Sequence, residues 1–232
     1  HLPALLAPHR TSALVIGLGT GVTSAELARY QTMERIDTAE ISSSVIKALP
    51  VFAPFTGSLH LDQRHSVIHG DAFRIMARSD QRWDMIISEP SNPWVLGVDA
   101  LFSREFYRIA REHLNDGGLF VQWMHIRNAS DRMLGTVLTT LRTEFPYLRV
   151  VMSQANDLIL LASQEPLPNA SLDRAAGLLA DNSSVAGSLT EAGIPSLQAL
   201  LAREIVPAPG LQGGRCGPQG PEAAGGEIGR AH

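Results

Sequence analysis

The sequence predicts an α/β protein whose core is a doubly wound, seven-stranded, mostly parallel sheet with a C-terminal antiparallel hairpin. Short β-branched runs alternate with helical stretches over residues 13 to 163. No tight-hairpin signal interrupts this alternation until the turn around Asn156. Because strand–helix–strand repeats connect parallel neighbours, six strands should run parallel and one antiparallel.

The individual elements follow from local patterns and helix caps. Apolar and β-branched runs predict strands at 13–17, 35–41, 65–69, 83–88, 119–124, 148–152 and 157–162. Helical stretches at 22–30, 45–51, 72–77, 103–114 and 131–145 lie between or beside them. Serines at 42–44 and at 103 are suitable caps for helix starts, and Gly117-Gly118 ends the helix before the fifth strand.

Three regions are expected along the chain. Residues 1–165 form the α/β domain, and residues 166–205 form a helical appendage of modest amphipathicity. In the segment 206–232, glycine and proline are abundant and aliphatic residues are scarce. Such a segment cannot bury enough apolar surface to offset its ordering entropy, so we expect it to be disordered.

Composition excludes several classes of function. A net charge of −4 without a dense Lys/Arg block gives no support to a nucleic-acid partner. The single cysteine, Cys216, excludes an internal disulfide framework and fits a reducing, cytoplasmic location. No apolar run reaches the length of a membrane span, and the start, with His1 where a natural chain has Met, is typical of a fragment.

A glycine loop follows the first predicted strand. Gly17, Gly19 and Gly21 alternate with other residues, including Thr20, directly before a helix. Glycine suits a sharp turn where the backbone must approach a ligand closely. The dinucleotide pattern would need glycine where Val22 stands, so the loop favours a nucleoside–methionine ligand, with a turn that binds nothing as the alternative.

Two acids follow the second and third strands. Glu40 lies about twenty residues beyond the glycine loop, where a carboxylate can accept both ribose hydroxyls. Asp71 can accept from an adenine amino group while the backbone N–H of Ala72 serves the ring. A solvated strand-end acid and a plain helix cap are the respective alternatives.

The loop after the fourth strand contains the candidate catalytic residue. Glu89 should face the sulfonium region, since ligands of open α/β sheets lie beyond the strand carboxyl ends at the switch point. The same proline-stiffened loop contains Asn92 and Trp94, of which Trp94 is a candidate substrate-binding residue of the pocket wall. The histidines are scattered, and His65 and His69 lie too far apart on one strand, so we expect no metal site.

Seven segments in this order resemble the spermidine synthase-like (polyamine aminopropyltransferase) family, which has the class I S-adenosylmethionine-dependent methyltransferase fold. They are residues 1–3, 15–21, 70–71, 84–87, 92–93, 101–107 and 117–123. The resemblance is greatest to bacterial spermidine-synthase-like domains, some fused to membrane transporter segments. It implies a nucleoside bound by Glu40 and Asp71, and aminopropyl transfer from decarboxylated S-adenosylmethionine to an amine that loses a proton to an acid after the fourth strand.

The chain departs from that family pattern in several places. Thr20 stands where the family has an aspartate that holds the donor ammonium, Glu89 corresponds to the catalytic aspartate, and Asn92 replaces a substrate-binding aspartate. We also expect the family's N-terminal β-hairpin segment, often its dimer interface, to be absent. A neutral Thr20 beside a helix N-terminus accepts a carboxylate, so we expect S-adenosylmethionine to bind at least as well as its decarboxylated form.

Three functions therefore remain open. The first is an aminopropyltransferase-like enzyme that acts on a small-molecule amine or another acceptor. The second is an S-adenosylmethionine-dependent methyltransferase, and the third is a non-catalytic nucleoside-binding module of a membrane assembly. A homodimer and a membrane-domain partner in a longer natural chain are the macromolecular partners that these hypotheses allow.

Overall fold

Eight strands form one sheet in the computed structural model, which describes residues 1–90, 97–127, 129–154, 156–168 and 170–206. In chain order the strands are β1 (Ser12–Ile16), β2 (Arg35–Glu40), β3 (His65–His69), β4 (Trp83–Ser88), β5 (Leu114–His125), β6 (Tyr147–Gln154), β7 (Asp157–Ser163) and β8 (Glu204–Val206). Their order across the sheet is β3-β2-β1-β4-β5-β7-β6-β8.

The strand directions confirm the predicted fold class. β1 to β5 pair in parallel, β7 pairs antiparallel with β5, and β6 pairs antiparallel with β7. Six of the first seven strands therefore share one direction, as expected from the alternation. The prediction of seven strands is one too few, because the sheet has an eighth strand, β8, which pairs antiparallel with β6 at the edge of the sheet. A three-residue strand is too short to show the alternation that identifies strands in sequence.

Helices cover both faces of the sheet. On the first face lie α1 (Leu2–Leu6), α2 (Val22–Ala28), α8 (Ala170–Asp181), α9 (Ser183–Glu191) and α10 (Leu197–Leu201). On the second face lie α5 (Ala72–Ala77), α6 (Arg104–Glu112) and α7 (Asp131–Glu144). The short helices α3 (Ser43–Ala48) and α4 (Ala53–Thr56) connect β2 to β3.

The central strands are apolar on both sides, as a sheet covered on two faces requires. Along β1, Val15 belongs to the core of the first face, whereas Leu14 and Ile16 belong to that of the second. All residues of β1 and β4 are buried. The alternation of side chains along each strand therefore divides the interior into two cores.

The last three helices pack on the first face and are tied to α2. The Ser188 hydroxyl donates to the Glu26 carboxylate at 2.8 Å, and the Asn182 amide donates to the Arg29 carbonyl at 3.0 Å. Leu189 and Leu200 share one apolar core with residues of β1 and β4. A functional division between residues 1–165 and 166–205 stays a prediction, and residues 207–232 lie outside the described part of the chain.

Asp84 at the start of β4 fixes that strand to its two neighbours. One carboxylate oxygen accepts from the backbone N–H and hydroxyl of Thr11, at 2.7 and 2.8 Å, and from the Ser12 N–H at 3.1 Å. The other oxygen accepts from the Asn115 amide at 2.8 Å. The register of β1, β4 and β5 is therefore set at their amino ends, which aligns the carboxyl ends where candidate ligand-binding residues lie.

Within the described residues, no helix has both the length and the apolar character needed to cross a lipid bilayer.

Candidate functional site

The carboxyl ends of four adjacent strands, β3, β2, β1 and β4, are joined by backbone hydrogen bonds at one end of the sheet. The Gly17 N–H donates to the Ala39 carbonyl, and the Glu89 N–H donates to the Ile16 carbonyl, both at 2.9 Å. The Gly70 N–H donates to the Glu40 carbonyl, also at 2.9 Å. The loops that follow β1, β2, β3 and β4 therefore start from fixed positions around a common space.

Gly17 must be glycine for two independent reasons. Its φ of +94° lies in the region that side chains disfavour. A Cβ at this position would also lie 2.9 Å from the carbonyl oxygen of Glu89. The loop after β1 therefore passes in direct contact with the loop after β4, which brings the glycine turn and the candidate catalytic residue together.

Glu40 connects the glycine loop to the loop after β2. One carboxylate oxygen accepts the Leu18 N–H at 2.9 Å, and the other accepts the Ser42 N–H at 2.7 Å. Glu40 is only 8% exposed, so these bonds hold the carboxylate in one orientation. An ionised carboxylate has about four acceptor positions, which leaves one position on each oxygen for a pair of adjacent hydroxyls.

Asp71 and Ala72 lie at the start of α5. Asp71 is the N-cap, and one of its carboxylate oxygens accepts the Arg74 N–H at 2.9 Å. The other oxygen remains available to a ligand. The N–H of Ala72, the first residue of the helix, has no acceptor within the helix. The cap geometry and a contact with an adenine ring are thus compatible at this position.

Glu89 is held by a residue of α2. The Thr23 hydroxyl lies 3.0 and 2.8 Å from the two oxygens of the Glu89 carboxylate and donates to it. Loss of hydration raises the pKa of Glu89 above its usual range, and the hydrogen bond from Thr23 partly opposes that rise. A carboxylate in this state is a stronger base than one in water.

A cavity of about 450 Å³ lies on the second face of the sheet at this end. Six of the predicted site residues line it: Gly17, Gly19, Glu40, Asp71, Ala72 and Glu89. The volume is in the range of pockets that hold small molecules. Thr20 is exposed and, like Gly21, is not among the described residues that line the cavity. Asn92 and Trp94 fall outside the described residues.

A second, smaller cavity of about 140 Å³ lies on the first face, and Glu89 lines this cavity too. Thr23, Glu26 and Trp123 contribute to its wall. Trp123 lies in the predicted fifth strand, and neither Thr23 nor Glu26 was predicted as a site residue. Thr23 is 66 residues from its partner in the chain, so no local pattern could identify it.

The described residues contain no cluster of three or more His, Cys, Asp or Glu side chains placed to bind a metal ion.

Comparison with known proteins identifies the family. The model of the spermine/spermidine synthase domain matches residues 1–156. A polyamine aminopropyltransferase of Clostridium botulinum (strain Alaska E43 / Type E3) is 33% identical over 121 residues, which cover 52% of this chain. That stretch spans only 42% of the relative, less than half of its length.

Two solved structures show the same fold. The crystal structure of spermidine synthase from Thermotoga maritima superposes with a TM-score of 0.74, covering 89% of this chain and 69% of that one at 20% identity. Human methyltransferase-like protein 13, solved in complex with SAH, superposes with a TM-score of 0.62 at 21% identity, covering 78% and 86% of the two chains. With its family match extending over residues 1–156 of 232, this chain belongs to the spermine/spermidine synthase domain family.

Proposed function

We propose that this protein is a transferase that binds S-adenosylmethionine or its decarboxylated form and transfers an aminopropyl group to an amine acceptor. The observation that carries the proposal is the position of Glu89. Glu89 lines the cavities on both faces of the sheet, and its pKa is raised by loss of hydration. A base between a donor pocket and an acceptor pocket is what the reaction requires.

The larger cavity is the donor pocket in this proposal. The free acceptor positions on Glu40 bind the two ribose hydroxyls, and Asp71 and the Ala72 N–H bind the adenine. Gly17 and Gly19 allow the ligand to lie against the backbone. This arrangement directs the sulfonium end of the donor towards Glu89.

In the proposed reaction the acceptor amine approaches from the smaller cavity. Glu89 takes a proton from the ammonium, and the free amine attacks the carbon next to the sulfonium sulfur. A carbon–nitrogen bond forms, the carbon–sulfur bond breaks, and methylthioadenosine leaves with the electron pair of that bond. An alkylammonium has a pKa of about 10, so a base with a raised pKa assists its deprotonation.

A methyltransferase is the second candidate, and Thr20 favours it. Thr20 does not line the larger cavity, but it follows Gly19, which does, and it presents a neutral hydroxyl where an acid would attract the ammonium of a decarboxylated donor. The carboxylate of intact S-adenosylmethionine would meet no repulsion from this position. Release of methylthioadenosine would support aminopropyl transfer, and release of S-adenosylhomocysteine would support methyl transfer. The absence of both products would support a non-catalytic module.

The first prediction tests the ribose contact. Glu40→Ala should weaken binding of adenosine by about 1.5–3 kcal/mol, roughly tenfold or more, because a bidentate charged contact is lost. Calorimetric titration with adenosine and with 2′,3′-dideoxyadenosine isolates the hydroxyls. The dideoxy ligand should bind wild type weakly and lose little further in the variant. If Glu40→Ala loses the same amount of affinity for both ligands, Glu40 stabilises only the loops and does not contact the ribose.

The second prediction concerns the base. Glu89→Gln should lower kcat by about 100- to 10,000-fold, since the proton acceptor is removed. Glu105→Gln, at an exposed position on α6, is the matched control and should keep wild-type kcat. Measured rates that are similar in both variants would exclude Glu89 as the base.

The pH profile gives an independent readout on the same residue. Glu89 is active when ionised, so kcat should fall on acidification as the pH passes through its raised pKa. Thr23→Val removes a hydrogen bond that lowers this pKa, so the acidic limb should move to higher pH. Thr23→Ser keeps the hydroxyl and should restore the wild-type limb, which separates this effect from a general loss of structure.

The third prediction concerns the donor. Wild type should bind S-adenosylmethionine at least as tightly as the decarboxylated form, and Thr20→Asp should shift the preference towards the decarboxylated form. The new charge attracts an ammonium and repels a carboxylate. Titration of wild type and of Thr20→Asp with both donors gives the ratio of the two donor affinities in each protein. A tenfold wild-type preference for the decarboxylated donor, about 1.4 kcal/mol, would contradict the role assigned to Thr20.

A further inference from the structure

The smaller cavity differs chemically from a pocket built for a polycation. Its wall is mostly apolar and includes Leu27, Ile87, Val121 and Ile159. Trp123 adds an aromatic surface. A cavity of about 140 Å³ is close in size to the engineered cavity of about 150 Å³ that binds benzene. The available space therefore suits a short chain of about six non-hydrogen atoms.

Two carboxylates line this cavity, and only Glu89 is free of a cationic partner. Glu26 lies 2.8 Å from the Arg29 guanidinium and 2.7 Å from the His1 ring, and it also accepts from Ser188. Although burial opposes ionisation, hydrogen bonds from His1 and Ser188 and the charges of His1 and Arg29 lower its pKa to about 2. Glu26 is thus ionised but already compensated.

Among the described residues that line this cavity, Glu26 and Glu89 are the only acids, so no third carboxylate is available to a second ammonium. Asp157 lies opposite His125 in the strand register, two residues along β5 from Trp123, and its carboxylate is 2.6 Å from the His125 ring. A second ammonium buried against this wall would lose its hydration without gaining a counter-charge.

We infer that the smaller cavity binds a short-chain primary monoamine, whose ammonium contacts Glu89 and whose alkyl tail packs between Ile87, Val121 and Trp123. This inference rests on the proposed function and adds the acceptor class. A pocket for diamines or longer polyamines would need two uncompensated acids, whereas the smaller cavity offers Glu89 as the one lining acid without a cationic partner, beside an apolar wall.

A matched pair of ligands tests the inference. n-Butylamine and putrescine share a four-carbon chain with one ammonium, and putrescine carries a second ammonium at the far end. Ligand-observed NMR titrations at pH 7.5, with and without saturating methylthioadenosine, measure both affinities without requiring turnover. Binding of n-butylamine at least tenfold tighter than putrescine is expected. Equal or tighter binding of putrescine, or no binding of n-butylamine, would overturn the inference.

A variant pair tests the reason for that preference. Arg29→Met removes the permanent charge that compensates Glu26. The affinity for putrescine should therefore rise severalfold relative to the affinity for n-butylamine. Ser184→Ala is the control, since it removes another contact of Arg29 without changing a contact of Glu26. If the ratio of the putrescine and n-butylamine affinities is the same in Arg29→Met as in wild type, the charge argument is overturned. Failure of the proposed function is detected separately, as absence of nucleoside release with any amine.

Discussion

The Glu40 carboxylate accepts one backbone N–H from the glycine loop and one from the loop after β2, and the candidate site depends on this pair of bonds. They connect the ends of two adjacent strands through a side chain that is almost fully buried. Because both bonds come from the backbone, they depend on the loop conformation and not on flexible side chains. The acceptor positions that remain are therefore oriented before any ligand arrives, which reduces the entropy lost on binding.

The second organising feature is the contact between Gly17 and the loop after β4. That contact holds the start of the loop after β4 against the glycine turn, and Glu89 in this loop lines a cavity on each face of the sheet. Thr23 extends the arrangement into α2, since its hydroxyl holds the carboxylate while its helix packs on the first face. A residue on one face thereby influences the protonation of Glu89, which lines both cavities.

Much of this architecture is encoded locally and could be predicted from sequence. The strand–helix alternation, the glycine spacing and the acids at strand ends are short-range patterns, and the carboxyl ends of parallel strands meet at one edge. The partner of Glu89 could not be predicted, because Thr23 contacts it only after the fold is formed. The contacts of Glu26 with His1 and with Ser188 of α9 also form only in the fold, whereas its ion pair with Arg29, three residues along the chain, is local. The strand β8 was missed because its few residues pair only when the C-terminal helices return the chain to β6.

A crystal structure of this protein with methylthioadenosine bound tests the central claim most directly, since it shows where each part of the nucleoside lies. The account predicts both ribose hydroxyls within about 2.5–3.0 Å of the two Glu40 oxygens. It also predicts the adenine at Asp71 and Ala72 and the sulfur on the Glu89 side of the larger cavity. A nucleoside bound outside this cavity, or a ribose without contact to Glu40, would contradict it.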